Sequence, residues 1–436
     1  MRNMKRTIRG LFLVFSFYLL ASNGNAVGQD TVQLTLDSCL RYAYSHNLQV
    51  RTAALSRESA DATLTGAKLR FLPSINASAS EGYSWSDQTT RSGSVGINGS
   101  LTLFSGMENL LNYRYSKLGA EQSVLKVQQA ENTVGIQIVQ AYLTILMNKE
   151  KLAYQQEVLE TSRQQQLEGQ LKYEVGRLLE SDYLLLEANY TSAQAEIENT
   201  LLTIEDNLME LATLLDVEDR VVDVVPSTDT LRASERLVPT YDTLLAQAQR
   251  SLPDWQISAM NVEMARLNVG MARSAFLPTL SLNAGTNYNN GAVVSDNPVT
   301  TINGGLNTSL TLGLSVPILN RGTSLTQYKQ SKINLQQAEL QHQQTRIELE
   351  NNIQGLYVTL RQALNRFRST EALAGAYHAS YDVYVLKYGE GAVTTVEMLQ
   401  QQDKYLSALN EYLQSKYSYI LAEKQMDIYT GKEIKL

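Results

Sequence analysis

The side chains that most often carry catalysis or bind metals are few and scattered in this sequence. Its 436 residues contain 3 histidines and a single cysteine. His46, His342 and His378 lie far apart, and none has a partner at a metal-binding spacing that rises above chance. Glu348 and Glu350 are typical of a solvated helix face, whereas general acid and base catalysis needs a concave site. These residues therefore predict neither a metal centre nor a catalytic carboxylate pair.

Motifs and net charge exclude further classes of function. No nucleophile elbow, zinc-protease motif, phosphate-binding loop or dinucleotide fingerprint occurs, so we expect no enzyme and no cofactor. The 37 basic and 44 acidic side chains give a net charge of −7 without a basic stripe. Nucleic acid is therefore not expected as a partner. One cysteine also excludes a disulfide scaffold.

The amino terminus predicts export from the cytoplasm. Basic side chains precede an apolar run over residues 11–20, and small residues follow up to Ala26. This pattern predicts a signal peptide over residues 1–26. A retained membrane anchor is the alternative, although the apolar run is about half of the ~20 residues that span a bilayer. Cys39 lies well beyond the predicted cleavage point and follows charged Asp37, which favours an apolar helix residue over a lipid-attached terminus.

An internal repeat is the most informative feature of the sequence. Phe71 and Pro73 recur as Phe276 and Pro278, and the later positions of the first half recur in the second at one constant offset. Two structurally equivalent halves follow from this self-similarity. We expect a first repeat over residues 27–225, a linker over residues 226–240 and a second repeat over residues 241–436.

The distribution of proline predicts long helices in each repeat. The chain has 7 prolines, and none occurs within residues 74–225 or 318–436. Helix-forming residues with apolar side chains at helical spacing fill much of both segments. A helix of some sixty-five residues would be a rod ~100 Å long, which must lie against similar rods. The predicted rods are residues 107–171 and 322–384, and the predicted returning helices are residues 178–215 and 393–430.

Between the helices, each repeat carries two segments in which apolar and polar residues alternate. Val95, Ile97 and Leu101, for example, alternate with Asn98 and Ser100. This period of two indicates strands with two different faces. Ordinary hairpins of a soluble protein are one interpretation; uncharged polar faces and the signal peptide favour membrane-spanning strands. Aromatic residues near the strand ends would form a membrane-interface belt: Tyr83, Trp85, Phe104 and Tyr288.

Four such strands are too few to close a barrel. Known single-chain barrels have at least eight strands, so closure requires two or three chains, and the residues do not choose between them. The loops over residues 87–93 and 291–304 would face the outside of the cell. The helices would then project into the periplasm, with turns at Gly176 and Gly391 marking the far tips.

The ordered motifs of the two halves carry a family resemblance. They are the FLP triplets, LFSG at residues 103–106, PILNRG at residues 317–322, and the KYEVG and KYGEG turns at residues 172–176 and 387–391. Together they resemble the TolC-like outer-membrane efflux family over essentially the whole mature chain. The resemblance implies a homotrimer in the outer membrane, with a 12-stranded barrel continued by an α-helical periplasmic tunnel. It also implies a periplasmic adaptor and an inner-membrane RND or ABC transporter as partners.

The resemblance further implies a gate at the helix tips. The matching positions near the first tip are Ser181 and Asp182. Those near the second are Tyr388, Glu397 and Gln400, while Val393 stands where the family pattern has an arginine. Gly176 and Gly391 would mark the turns to which the adaptor docks. Alternatively, Asp182 and Glu397 only stabilise the first turns of their helices.

The sequence thus predicts a mixed α/β membrane protein, mostly long antiparallel helices with four transmembrane strands per chain. The expected function is a passive exit duct for drugs, small molecules or polypeptides, gated at the periplasmic tips. The alternative is a secreted or surface coiled-coil protein with a structural or adhesive role. An adhesive protein should be soluble or peripherally attached without detergent, whereas a duct must form trimers that conduct ions.

Overall fold

The two halves of the chain share the series helix, helix, strand, strand, helix, helix, and the first half has an additional short strand at each end. The computed structural model describes residues 32–86, 89–217, 222–225, 240–294 and 300–432. The predicted signal peptide and nearly all of the predicted linker lie outside the described residues. The first half contains β1 (Val32–Leu34), α1 (Leu36–His46), α2 (Leu48–Leu69), β2 (Ser74–Trp85), β3 (Thr89–Ser105), α3 (Glu108–Glu174), α4 (Glu180–Leu215) and β4 (Val222–Val224). The second half contains α5 (Tyr241–Ser251), α6 (Pro253–Ser274), β5 (Thr279–Val294), β6 (Thr300–Ser315), α7 (Thr323–Gly389) and α8 (Thr395–Tyr429).

The two long helices confirm the predicted rods. α3 and α7 each contain 67 residues, which at ~1.5 Å per residue gives a length of ~100 Å. Each begins after a residue in the left-handed conformation, Met107 with φ 73° and Gly322 with φ 80°. The second rod ends at Gly389, five residues later than predicted. Each rod ends shortly before the glycine of its turn, Gly176 in the first half and Gly391 in the second. None of the described helices is both long and apolar enough to cross a membrane.

The remaining helices pack along these rods and join the two halves. α2 and α4 lie against α3, and α6 and α8 lie against α7. α3 also contacts α6 and α8 of the other half. The amide nitrogen of Gln122 on α3, for example, donates to Asn261 Oδ1 on α6 at 2.7 Å. Two helical hairpins therefore stand side by side as one unit.

The four long strands form one antiparallel sheet in the order β2-β3-β5-β6. The pairing of β3 with β5, with Val95 opposite Tyr288, unites the hairpins of the two repeats. β2 and β6 are left as the two edges of this sheet. The predicted loops are too long, because Trp85 already pairs with Thr89 and Val293 with Thr300. Backbone hydrogen bonds extend the strands into polar segments. Because apolar and polar residues do not alternate there, the sequence pattern does not identify these segments as strands.

The sheet has one apolar face and one polar face. Side chains directly opposite each other in the register share a face, and one face carries Ile97, Leu282 and Leu312. These apolar side chains are exposed in the single chain; Leu310, on the same face, is 74% exposed. The other face carries Asn98, Ser100 and similar uncharged residues. The alternation predicted for membrane strands is therefore present in the fold.

A buried core at mid-height ties the first half together. β1 pairs with β4 in a small parallel sheet, and Tyr142 of α3 donates from its hydroxyl to the Val225 carbonyl at 2.5 Å. Burial raises the pKa of Tyr142 to about 12. Cys39 of α1 is fully buried in the same core, and burial raises the pKa of its thiol to about 12. Cys39 is thus an apolar helix residue, as the sequence favours.

A buried ion pair fixes α3 to α8. Lys416 Nζ donates to both carboxylate oxygens of Glu150 at 2.8 Å, and the Tyr417 hydroxyl donates to Glu150 Oε2 at 2.9 Å. The Lys416 side chain is only 8% exposed. Burial and the neighbouring Glu150 carboxylate raise the pKa of Tyr417, so its hydroxyl stays protonated and keeps donating. This cluster fixes the register of the two helices.

Replacing Lys416 by Met should destabilise the protein by about 2–4 kcal/mol, because Glu150 would stay partly buried without its cation. Replacing both partners, as Lys416→Met with Glu150→Gln, should restore part of that loss. Urea unfolding of detergent-solubilised protein, followed by circular dichroism, measures the difference. Arg163→Met, which removes an exposed ion pair, is the control and should change little. Equal destabilisation by the single and double variants would contradict a coupled pair.

Candidate functional site

Both helical hairpins reverse direction at a glycine. Gly176 and Gly391 have φ angles of 71° and 75°, which favour glycine. The Gly176 and Arg177 amides donate to the Tyr173 and Lys172 carbonyls at 2.9 and 2.7 Å, and the second tip repeats this pattern. Such Schellman turns satisfy carbonyls at the end of a helix. The predicted positions of the two tips are confirmed.

The two tips pack against each other through a small apolar cluster. Tyr388 of α7, Leu186 of α4 and Met398 of α8 are its buried members, and Val393 packs on its edge. The Lys172 ammonium of α3 lies 5.1 Å from the centroid of the Tyr388 ring. All four helices of the tips therefore meet around one tyrosine.

The structure shows no hydrogen bond between Tyr388 and Asp182. Tyr388 is 6% exposed, and its hydroxyl oxygen has no hydrogen-bond partner among the described residues. Asp182 is half-buried in the first turn of α4, one turn before Leu186 of the tip cluster, and Ser181 beside it is exposed. The hydrogen bond implied by the family resemblance is not formed within one chain. A gate at these residues stays a prediction.

Glu397 caps the start of α8. Its Oε2 accepts from the Thr394 amide at 2.9 Å, and its own amide donates to Thr394 Oγ1 at 3.2 Å, which completes a capping box. The hydrogen bond from the Thr394 amide lowers the pKa of Glu397, with a smaller effect from the Thr394 hydroxyl. Glu397 and Gln400 are both exposed on this helix. Capping accounts for Glu397 within one chain. Its place in a lumen stays a prediction.

Polar side chains fill much of the interface between the hairpins just above the tips. Asn189 Nδ2 of α4 donates to Ser162 Oγ of α3 at 3.0 Å and to Gln402 Oε1 of α8 at 3.2 Å. Gln402 Nε2 in turn donates to Ser162 Oγ at 3.3 Å. We call these three residues the polar seam. It links three helices from both hairpins.

The sequence analysis missed the polar seam, although a signal for it exists. The buried residues in this part of α3 follow one another at alternating spacings of three and four, the spacing of a coiled-coil core. These buried residues are Gln155, Val158, Ser162, Gln165 and Gly169. Because several of them are polar, an analysis based on apolar periodicity passes over them.

The three histidines lie apart in the structure, as they do in the sequence. The His342 ring contacts Ser258 Oγ at 2.8 Å, the His46 ring stacks on Tyr42, and His378 Nδ1 lies 3.5 Å from an Asp382 oxygen. Within the described residues, no group of His, Cys, Asp and Glu could hold a metal ion. Each histidine thus contacts a residue of its own helix or of a neighbouring helix.

The predicted aromatic belt residues lie at two levels of the sheet. Tyr83 and Trp85 lie at the end of β2 that is farthest from the helices, and their rings stack with centroids 6.3 Å apart. Phe104 lies at the end of β3 that leads into α3. Tyr288 pairs with Val95 and lies nearer than Phe104 to the end of the sheet that is farthest from the helices. All four rings are exposed on the single chain, a position that would suit membrane interfaces.

The capping box at Glu397 predicts a pH-dependent tip. Because the folded pKa of Glu397 is lowered, its stabilisation is present above the unfolded pKa and is lost as the pH falls through the folded pKa. Glu397→Ala should lower the amide hydrogen-exchange protection factors in the first turn of α8 at neutral pH and abolish the loss of protection that the parent protein shows as the pH falls. Glu397→Gln, which still accepts the Thr394 hydrogen bond, should have a smaller effect. Exchange rates that are the same in both variants and the parent would contradict the capping role.

Comparison with known proteins agrees with this geometry. The sequence model of the outer membrane efflux protein family matches residues 40–217 and 244–432. The chain is 22% identical over 419 residues to the outer membrane efflux protein BepC of Brucella suis, covering 95% of this chain and 89% of that protein. It is 24% identical over 405 residues to the outer membrane protein TolC of Vibrio cholerae, covering 88% and 87%. It is 22% identical over 449 residues to the alkaline protease secretion protein AprF of Pseudomonas aeruginosa, covering 98% and 89%.

Solved structures share the fold. The CmeC outer membrane channel of Campylobacter jejuni is 21% identical with a TM-score of 0.73, covering 91% of this chain and 85% of that one. The outer membrane protein VceC of Vibrio cholerae is 15% identical with a TM-score of 0.74, covering 92% and 97%. The predicted family, outer-membrane location and export function are confirmed by this agreement. The chain belongs to the outer membrane efflux protein family.

Proposed function

We propose that three copies of this chain form a passive exit duct across the outer membrane, continued by a helical tunnel through the periplasm. Three copies of the four-stranded sheet would give a 12-stranded barrel. The two repeats, residues 27–225 and 241–436, would each contribute two strands and one helical hairpin, with residues 226–240 joining them. The duct would have no catalytic residue of its own.

The sheet is the observation that carries this proposal. Its edge strands β2 and β6 are unpaired within the chain, and one face is apolar while the other is polar. In a bilayer every backbone polar group needs a partner, so β2 of one copy would pair with β6 of the next. The apolar face would then contact lipid and the uncharged polar face would line the pore.

The helices support the same assembly. Large apolar side chains remain exposed along the rods of a single chain, among them Leu202 of α4 and Leu340 and Ile347 of α7. Large exposed apolar side chains on a helical surface fit an interaction site. Neighbouring copies of the rods would cover these side chains and enclose a tunnel.

The tips support a gate and a docking point. The helix pairs meet at Tyr388, whose buried hydroxyl lacks a hydrogen-bond partner among the described residues. A neighbouring copy would supply that partner or close the space around Asp182, Ser181, Glu397 and Gln400. A periplasmic adaptor would bind near Gly176 and Gly391, where exposed Val175 and Leu386 flank the turns.

The names of the relatives suggest the class of partner and cargo. BepC is named as an efflux protein and AprF as a protease secretion protein. An inner-membrane transporter of the RND or ABC class would therefore supply small molecules or polypeptides through the adaptor. The chain itself would provide the conduit in either system.

Single-channel conductance of the detergent-extracted protein in planar bilayers tests the duct, with the oligomeric mass measured on the same sample. We expect a trimer of low conductance that divalent cations reduce from one side. Glu397→Ala should weaken that block if its carboxylate lies in the lumen. A monomer that extracts without detergent and never conducts would favour the adhesive alternative and overturn the proposal.

The gate is tested by combining Tyr388→Phe with Asp182→Ala. Loss of cross-links at the tips should raise the conductance and make cells more permeable to large antibiotics. Tyr405→Phe, at a buried tyrosine of α8 above the tip cluster, is the matched control and should leave both unchanged. Unaltered conductance in the double variant, with normal expression, would contradict a gate at these positions.

A further inference from the structure

Charged residues are almost absent from the membrane sheet. Among the residues of strands β2, β3, β5 and β6, the charged side chains are Glu81 and Arg91 alone. They form an ion pair through Arg91 Nε and Glu81 Oε1. Opposite charges on neighbouring strands are expected on a surface that contacts water. The face of the sheet on which this pair lies is therefore informative about its role.

The pair lies on the apolar face of the sheet. Arg91 is directly opposite Tyr83, and Glu81 is directly opposite Gly93. Ala79 and Val95, which are opposite each other, continue the same face one row nearer the helices. If the apolar face contacts lipid, as the proposed function requires, this ion pair is on the outer wall of the barrel.

The height of the pair follows from β3 alone. The apolar stretch from Phe104 to Val95 spans ~30 Å along the strand at ~3.3 Å per residue. A strand tilt of ~40° gives it a vertical extent of ~23 Å, close to the ~25 Å apolar band of outer-membrane barrels. Arg91 is four residues beyond Val95, on the side away from α3. It therefore lies where the lipid head groups of the outer leaflet begin.

The side chains around the pair form a shallow cavity of about 450 Å³. Gly93 forms part of its lining together with Asn290 and Tyr288 of β5. A side chain at Gly93 would clash with Asn290, so glycine keeps this part of the wall open. The Tyr83 hydroxyl lies 3.5 Å from Glu81 Oε1. The cavity thus combines the Arg91–Glu81 ion pair with the Asn290 amide and the Tyr288 ring beside the apolar band.

The guanidinium has donors left for a ligand. Glu81 accepts from Nε, and no other group among the described residues accepts a hydrogen bond from Arg91. Its terminal N–H groups match the geometry of phosphate oxygens. Glu81 holds one side of the guanidinium, which leaves the other side for an anion at the level of the head groups.

We propose that Arg91, with Glu81 as its positioning partner, binds the phosphate of an outer-leaflet lipid head group on the outer wall of the barrel. Tyr288 and Val95 would contact the upper part of the lipid chains, and Asn290 would contact the head group. The site lies on three strands of one chain, so each copy of the duct carries its own. This inference rests on the proposed orientation of the barrel in the membrane.

Native mass spectrometry of the full-length protein in mild detergent tests the site. The probes are lipid A carrying phosphate, dephosphorylated lipid A, and inorganic phosphate alone. We expect phosphorylated lipid A to bind once per chain, and Arg91→Ala to weaken binding at least about tenfold, since a charged hydrogen bond is lost. Arg91→Lys, which keeps the charge without the planar fork, should bind with intermediate affinity.

Glu81→Gln separates a lipid site from a merely structural ion pair. The amide oxygen still accepts from Arg91 Nε while the negative charge is gone, so phosphorylated lipid A should bind as well as before or more tightly. Arg163→Ala, which removes an exposed paired arginine from α3, is the matched control and should leave lipid binding unchanged. Equal loss of binding in Arg91→Ala and Glu81→Gln would overturn the proposal.

Two further results would also overturn it: equal binding of the dephosphorylated lipid, or displacement of lipid A by equimolar inorganic phosphate. The same spectra report the oligomeric mass, and conductance is measured on the same samples. Trimers that conduct normally but bind lipid A independently of Arg91 would reject the lipid site alone. Arg91-dependent binding to a protein that neither trimerises nor conducts would support the site and reject the duct.

Discussion

A β-sheet inside a bilayer cannot leave the edges of its strands unpaired, and this constraint governs how the chain is used. Every described strand between β2 and β6 has its partner, whereas the outer edges of these two strands have none. An unsatisfied backbone group costs several kcal/mol in hydrocarbon, on the order of 2–7 by transfer measurements. If the sheet lies in a bilayer, as we propose, further copies of the chain have to pair its two edges into a closed barrel, and α3 and α7 would continue that barrel.

The same constraint would place the proposed activity in the assembly rather than in any single residue. The polar face of the sheet is uncharged, and its strands contain serine, threonine and asparagine rather than groups that bind a particular cargo. In the proposed duct, conduction would depend on closing the barrel and on the shape of the tunnel. Chemistry specific to one position enters only where the regular pattern is broken: at the tips, in the polar seam, and at the ion pair of Glu81 and Arg91.

Much of the fold could be predicted from the sequence, because its determinants are local. The lack of proline and the internal repeat predict rods that the structure reproduces within a few residues, and alternation predicts the strands. The joining of β3 to β5 was not predictable, since pairing between repeats depends on three-dimensional proximity. The polar seam was missed because glutamine and serine at core positions look like surface residues. The tip residues Tyr388 and Asp182 could be named only by resemblance, since the side chains that pack around the tips come from different helices.

The distribution of buried polar groups bears on how the tunnel could open. The mid-height core is apolar and is fixed by the pairing of Lys416 with Glu150. Towards the tips, the buried hydroxyl oxygens of Tyr388 and Thr395 have no hydrogen-bond partner within the described residues. Each such group costs about 1–3 kcal/mol relative to a satisfied one. Within one chain, cohesion between the hairpins is thus stronger at mid-height than at the tips. If the tips form the proposed gate, the helices would separate there first while the upper assembly stays intact.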